Sequence, residues 1–153
     1  MSARLRRLHA DHQALLAAFT THPTIRIAAG EGAPPERYTV TFKVQSLVAG
    51  PDGRPLPKAE HRAEIFLPLD YPRRPPFCRM LTPVYHPNID PQKICIGDHW
   101  SAGQPLAHLV ARIAEMLCYQ SFNTKSPLNA EAAAWAEEHA AQLPLQADDF
   151  QGA

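Results

Sequence analysis

The sequence predicts an α+β domain: an N-terminal helix, a four-stranded antiparallel meander, a long irregular segment and two C-terminal helices. Three observations carry this expectation. Apolar residues recur at helical spacing near both ends of the chain. Strict apolar/polar alternation follows residue 37. Eight prolines between 68 and 105 bar a regular helix from the stretch that separates strands from later helices.

Residues 2–19 place Leu5, Leu8, Leu15, Leu16 and Phe19 at three- and four-residue steps, with Ser2 available as a cap. Pro23 closes that helix. A short strand is expected over 24–29, then a turn through Gly30, Gly32, Pro34 and Pro35. Tyr38, Val40, Phe42 and Val44 alternate with Thr39, Thr41, Lys43 and Gln45, the pattern of a half-buried strand. Residues 49–57, with Asp52-Gly53 and three prolines, read as a loop between paired strands, the second of them over 59–67. A fourth, shorter strand is expected over 78–82. Leu106, Leu109, Val110, Ile113, Met116 and Leu117 give the clearest helix; residues 119–127 read as a polar connection and 129–141 as a last helix capped by Asn129. The tail from Leu143 has no period and is expected to be loose.

With 153 residues, 45% of them hydrophobic and 20% charged, the chain fits one domain with a substantial core. Lys plus Arg and Asp plus Glu both number 15, so no global field favours nucleic acid or an anionic membrane. No apolar run reaches the length of a membrane span or has the form of a signal peptide. Cys78, Cys95 and Cys118 are widely spaced, and reduced thiols in a cytoplasmic compartment are the simplest reading.

Within the irregular segment the chain reads Tyr71-Pro72-Arg73-Arg74-Pro75-Pro76, then Tyr85-His86-Pro87-Asn88-Ile89, then Ile94-Cys95-Ile96 and Trp100-Ser101; Pro127-Leu128-Asn129 precedes the last helix. This ordered set resembles the active-site region of ubiquitin-conjugating enzymes, and the resemblance covers roughly residues 2–141. It implies a ubiquitin-conjugating fold with residues 1–143 as the catalytic domain and 144–153 as a flexible tail. It implies a carrier that takes a ubiquitin-like protein from an activating enzyme as a Cys95 thioester and passes it to an amine of an acceptor protein. No cofactor or metal is implied, since ATP is used by the activating enzyme. The chain departs from the family in shorter Asn88–Cys95 and Cys95–Trp100 intervals, a longer loop after Cys118, Arg73 where an aromatic residue is common, and Ser101-Ala102-Gly103 after the tryptophan. The last two changes fall on the family's usual ligase-docking positions and leave a ligase partner open. The departures and the Ala-, Arg- and Pro-rich composition fit a divergent bacterial member; by analogy, some bacterial systems of this kind act against phage.

Sulfur is both nucleophile and leaving group, which suits Cys95 to two successive acyl transfers. The resemblance gives Asn88 two readings: a donor to the tetrahedral oxyanion, or a clamp on the loop backbone. It gives His86 an organising role within the loop beside Tyr85 and Pro87, with a general base or metal ligand as the alternative. Ser126 matches a gate position that orients the acceptor lysine, or else it is a turn residue. Asp98 is a candidate to deprotonate the amine, and His99 to lower the thiol pKa. Arg4, Arg6 and Arg7 match the basic helix start that binds the activating enzyme; a solvated face is the alternative. Three rival functions stand beside this one: a noncatalytic binder of the same fold, a zinc hydrolase using Cys95, His86 and His99, and a nucleic-acid-binding module.

Overall fold

The structure, a computed structural model, describes residues 1–96, 100–146 and 148–151. Helix α1 spans Ala3–Phe19, and the Ser2 side chain accepts a hydrogen bond from the Leu5 N–H at 3.1 Å. Its buried stripe is Leu8, Asp11, Leu15 and Phe19. Leu5 and Leu16, expected on that stripe, are 37% and 43% exposed, because the contact with the core is one residue wide per turn.

The main sheet consists of β1 Ile25–Ala29, β2 Arg37–Phe42, β5 His61–Phe66 and β6 Phe77–Met80, all antiparallel in the order β1-β2-β5-β6. Tyr38, Val40 and Phe42 lie inward with His61, Ala63, Ile65, Cys78 and Met80. Outward-facing Glu64 pairs with Arg37 and Arg79 across neighbouring strands.

Residues 49–57 do not form the expected loop. They belong largely to a separate two-stranded hairpin, β3 Ser46–Ala49 and β4 Pro55–Lys58, with Ser46 opposite Lys58 and Ala49 opposite Pro55. Pro55 and Pro57 are tolerated in β4 because it has a partner on one side alone. Gly53, at φ 83°, supplies the left-handed residue that the connecting turn needs.

Helix α2, Leu106–Leu117, is the central rod of the core, and α1 and the sheet pack around it. Its first N–H has no local side-chain cap. Asp11 of α1 supplies one instead: its Oδ1 accepts from the Leu106 N–H at 3.1 Å, while Oδ2 accepts from Arg7 Nε at 2.8 Å and from the Tyr71 hydroxyl. Helix α3, Ala130–Glu138, starts at the expected Asn129 cap and continues into a 3₁₀ turn at Ala140–Gln142. It buries Ala132, Ala133 and Ala136 against a smaller cluster with Leu47, Tyr85 and Tyr119.

The tail, expected to be loose, lies against the body over its described residues. Phe150 is 4% exposed within the main core and stacks with His22. Gln146 accepts from the Gln45 N–H, and Gln120 donates to the Gln146 and Asp148 carbonyls. One apolar ring and backbone bonds do this without any period in sequence. No helix among the described residues is long and apolar enough to cross a membrane.

Candidate active site

The irregular segment folds into a small hydrogen-bonded platform. Tyr85 N–H donates to the Leu47 carbonyl at 2.6 Å, tying the platform to β3. Asp90 Oδ1 accepts from the N–H groups of Gln92 and Lys93, which turns the chain back so that Ile94 bridges Ile89. The Ile94 N–H then donates to the Cys78 carbonyl of β6 at 2.8 Å, and the Cys95 N–H to the Asn88 carbonyl at 2.9 Å. Ile94 and Ile96 are buried at 3% and 5%, so extended-chain alternation turns the intervening Cys95 side chain outward.

That placement separates the three thiols. Burial pushes Cys78 up to about 12 and also raises Cys118, the latter opposed in part by backbone hydrogen bonds. Cys95 is the exposed one. It lines a groove of about 540 Å³ together with Asn88, Arg112, Phe122, Lys125 and Ser126.

Asn88 sits at the back of the groove, 6% exposed, and its side chain is engaged with the opposite wall. Its Nδ2 donates to the Asn123 carbonyl at 2.8 Å, and its Oδ1 accepts from the Asn123 N–H at 2.8 Å. The loop-clamping role is therefore occupied. An amide nitrogen carries two hydrogens, so one N–H lies outside this clamp.

His86 is fully buried. Its Nδ1 accepts from the Asn88 N–H at 3.0 Å, which places the ring proton on Nε2. Burial lowers its pKa to about 3, against a smaller opposing effect of the Met116 backbone. A neutral, engaged imidazole under the loop acts as a support, and its geometry counts against a general base or a zinc ligand. The ring packs 4.7 Å from that of Tyr119. Tyr85 is buried with its carbonyl accepting from the Tyr119 hydroxyl, and the buried Pro87 offers its carbonyl to the N–H groups of Leu128 and Asn129. Ser126 is among the residues that line the groove. Asp98 and His99 lie outside the described residues.

The arginines divide. Arg4 bonds to Glu36 and to the carbonyls of Leu67 and Pro68. Arg7 bonds to Asp11, Tyr71 and the carbonyls of Ala102 and Gln104. Both hold the fold, which leaves Arg6, bonded to the Met1 carbonyl, as the more available cation of the three. Sequence reading missed Tyr119 and Asn123. Tyr119 has a positive φ of 62° just after the Cys118 cap of α2, a position where glycine is usual, so nothing in its residue type announces the role. Asn123 works mainly through its backbone, which any residue carries.

Helix, four-stranded sheet, platform cysteine and two later helices together define an α+β fold with an exposed thiol in a groove. A family model described as ubiquitin-conjugating enzyme matches residues 21–149, and the chain belongs to that family. Among relatives, ubiquitin-conjugating enzyme E2 N of Macaca fascicularis is 32% identical over 121 residues, covering 76% of this chain and 74% of the relative. Ubiquitin-conjugating enzyme E2 N of Drosophila melanogaster is 35% identical over 88 residues, covering 55% of this chain and 57% of the relative, so the match spans little more than half of that protein. The fold is shared with a solved ubiquitin conjugating enzyme structure from Plasmodium yoelii, at TM-score 0.65 and 24% identity, covering 92% of this chain and 88% of that one.

Proposed function

We propose that this chain accepts a ubiquitin-like protein from an activating enzyme as a thioester on Cys95 and transfers it to an acceptor amine. The observation that carries the reading is the exposed Cys95 thiol, held by a hydrogen-bonded platform in the same groove as Asn88 and Ser126. In the first step the Cys95 thiolate attacks the incoming thioester carbonyl, and the activating enzyme's sulfur leaves. In the second, a neutral amine attacks the Cys95 thioester. In this reading the remaining Asn88 N–H donates to the oxyanion, the Ser126 hydroxyl orients the amine, and Cys95 leaves as thiolate. ATP is consumed by the activating enzyme, and the transfer steps call for no cofactor on this chain. In this reading Arg6 is the cation of the α1 start open to that partner, and Arg73 and the 101–103 stretch leave the part of a ligase open. A cytoplasmic, bacterial and antiviral setting rests on composition and on analogy, and would be tested by phage plating on cells with and without Cys95.

The test is a reaction with the activating enzyme, the ubiquitin-like protein and ATP, resolved on nonreducing and reducing gels. A thiol-labile adduct that survives Cys118→Ala and is absent in Cys95→Ala is the expected outcome. A charged activating enzyme that never passes its cargo to the wild-type chain would favour the noncatalytic binding reading.

A further inference from the structure

The β3–β4 hairpin, α3 and the docked tail meet around one indole, that of Trp135. An apolar cleft of about 380 Å³ is lined there by Leu47, Pro55, Pro57, Pro144 and Leu145. A second hollow, also of about 380 Å³, holds Tyr85, Glu131, Glu138 and the Asp52–Arg54 pair. Trp135 and Pro55 line both, so the two form one surface. We infer that this surface docks an extended, basic segment of a partner protein, with an apolar side chain in the cleft and an Arg or Lys side chain between the indole and the α3 carboxylates.

The sequence of α3 builds the charged half. Glu131, Trp135 and Glu138 stand at steps of four and three residues, which puts them on one face of the helix with a carboxylate about one turn to either side of the indole. Ala134 is exposed between them and adds no bulk. Arg54 pairs with Asp52 at 3.9 Å, which balances those two charges. Glu131 and Glu138 are exposed and have no ion pair among the described residues, so the face carries two uncompensated negative charges. The Tyr85 phenol registers that field: burial raises its pKa first, and the charge of Glu131 adds to the rise. The Tyr85 and Trp135 rings stand 6.3 Å apart at 83°. Two near-perpendicular rings beside carboxylates favour a guanidinium or an ammonium, which the rings and the carboxylates attract together. The same charges repel phosphate, so neither nucleic acid nor an anionic membrane suits this face.

The apolar half sets the shape of the partner. Pro55 and Pro57 have no N–H, which weakens β4 as a template for an added strand. A cleft walled by prolines and a tryptophan instead suits an extended chain of polyproline type, laid on the rings. Leu47 is 4% exposed and Leu145 61%, so the cleft has a buried apolar floor and an open apolar rim. His139 stacks on the Trp135 ring at 4.7 Å and 13°, which holds the indole in place before any partner arrives. The indole N–H has no hydrogen bond among the described residues and is available to a peptide carbonyl. None of these residues lines the Cys95 groove, so a segment held here leaves the thiol open.

The probe is an acetylated and amidated Pro-Leu-Pro-Arg-Arg peptide titrated into the full chain, with Pro-Leu-Pro-Glu-Glu as its charge-reversed control. The readout is the indole N–H resonance of Trp135, told apart from that of Trp100 with Trp135→Phe. The expected result is a saturable shift of the Trp135 resonance by the basic peptide and none by the acidic one. Binding should weaken at least about threefold when salt rises from about 50 to about 300 mM. It should weaken at least about fivefold in a Glu131→Gln, Glu138→Gln double variant, whose exposed substitutions should leave the urea midpoint near that of the wild type. Equal shifts with the acidic peptide, an unmoved Trp135 resonance, or wild-type affinity in the double variant overturn the inference. Broadening of the Trp135 resonance with protein concentration in the absence of peptide would seat a second copy on the face and overturn it as well. Cys95 charging is not read in this titration, so the thioester reading stands or falls separately.

Discussion

At the scale of single residues, Asn88 has one bonded role, the clamp, and one proposed role, the oxyanion donor, to separate. Its clamp on Asn123 is a pair of part-buried 2.8 Å bonds, and Asn88 also lines the groove. Asn88→Ala removes both functions. Loss of the clamp should cost about 1–3 kcal/mol of stability, because the Asn123 backbone groups lose their partners. Loss of an oxyanion donor should slow transfer from a preformed thioester to free lysine by about 10²–10³-fold. Charging of Cys95 should fall much less than that if the donor acts chiefly on the amine attack. Equal losses in charging and discharge, in step with lower stability, would reduce Asn88 to a clamp. Tyr119 makes a smaller, purely structural contrast. Tyr119→Phe keeps the ring against His86 and removes the hydroxyl bond to the Tyr85 carbonyl, so about 1 kcal/mol should be lost in urea unfolding with discharge nearly unchanged.

At the scale of elements, the joint between α1 and α2 rests on Asp11. One carboxylate caps α2, pairs with Arg7 and accepts from Tyr71 in a site where its residue is 3% exposed. Asp11→Ala would leave the Arg7 guanidinium partly buried without its counter-ion and the first N–H of α2 uncapped. A loss of about 3–5 kcal/mol in the urea transition is expected, with Arg7→Lys milder than Asp11→Ala. Asp11 also shows where sequence reading stops. Periodicity placed α1, α2 and the long strands within a few residues, because their apolar faces are regular in sequence. It did not expect a carboxylate on the buried stripe, since that residue is satisfied by partners some 60 and 95 positions away. The β3–β4 hairpin was hidden by Pro55 and Pro57, which local rules treat as strand breakers, and the docked tail by its dependence on the single ring of Phe150. Of the candidate site, Cys95, Asn88 and Ser126 were legible because they fall in an ordered motif set, and the structure brings them to one groove. Arg4 and Arg7 were legible as basic residues, yet their bonds to carbonyls and carboxylates depend on chain crossings that no local pattern encodes.

For the whole molecule, the buried histidines set how stability answers to acid. His86 is fully buried with Nδ1 accepting from Asn88, and burial takes its pKa down to about 3. His61 is fully buried with Nε2 bonded to the Lys58 carbonyl and Nδ1 without a partner, and burial lowers its pKa as well. His22 accepts from the N–H groups of Thr24 and Ile25, and its pKa is lowered by burial first, with Asp148 opposing and Arg26 adding. All three shifts have one sign. In the unfolded chain each ring takes a proton near its ordinary value of about 6.5, whereas the native ring stays neutral further down. The unfolded state therefore binds more protons as pH falls, and stability rises with pH across this window. The stabilisation is whole above about pH 6.5 and is lost progressively below it, down to about 3 for His86. Each neutral buried ring contributes a slope of up to about 1.4 kcal/mol per pH unit in this range. Urea unfolding at pH 7.5, 6.0 and 5.0 with an unchanged m-value should show a falling midpoint, equivalent to a loss of about 1 kcal/mol or more between the last two. His61→Gln, which keeps an amide donor for the Lys58 carbonyl, should be less stable at pH 7.5 yet show a shallower decline toward pH 5. A wild-type midpoint that stays flat from pH 7.5 to 5.0 would mean that these rings take up protons in the native state, which their buried, bonded positions oppose.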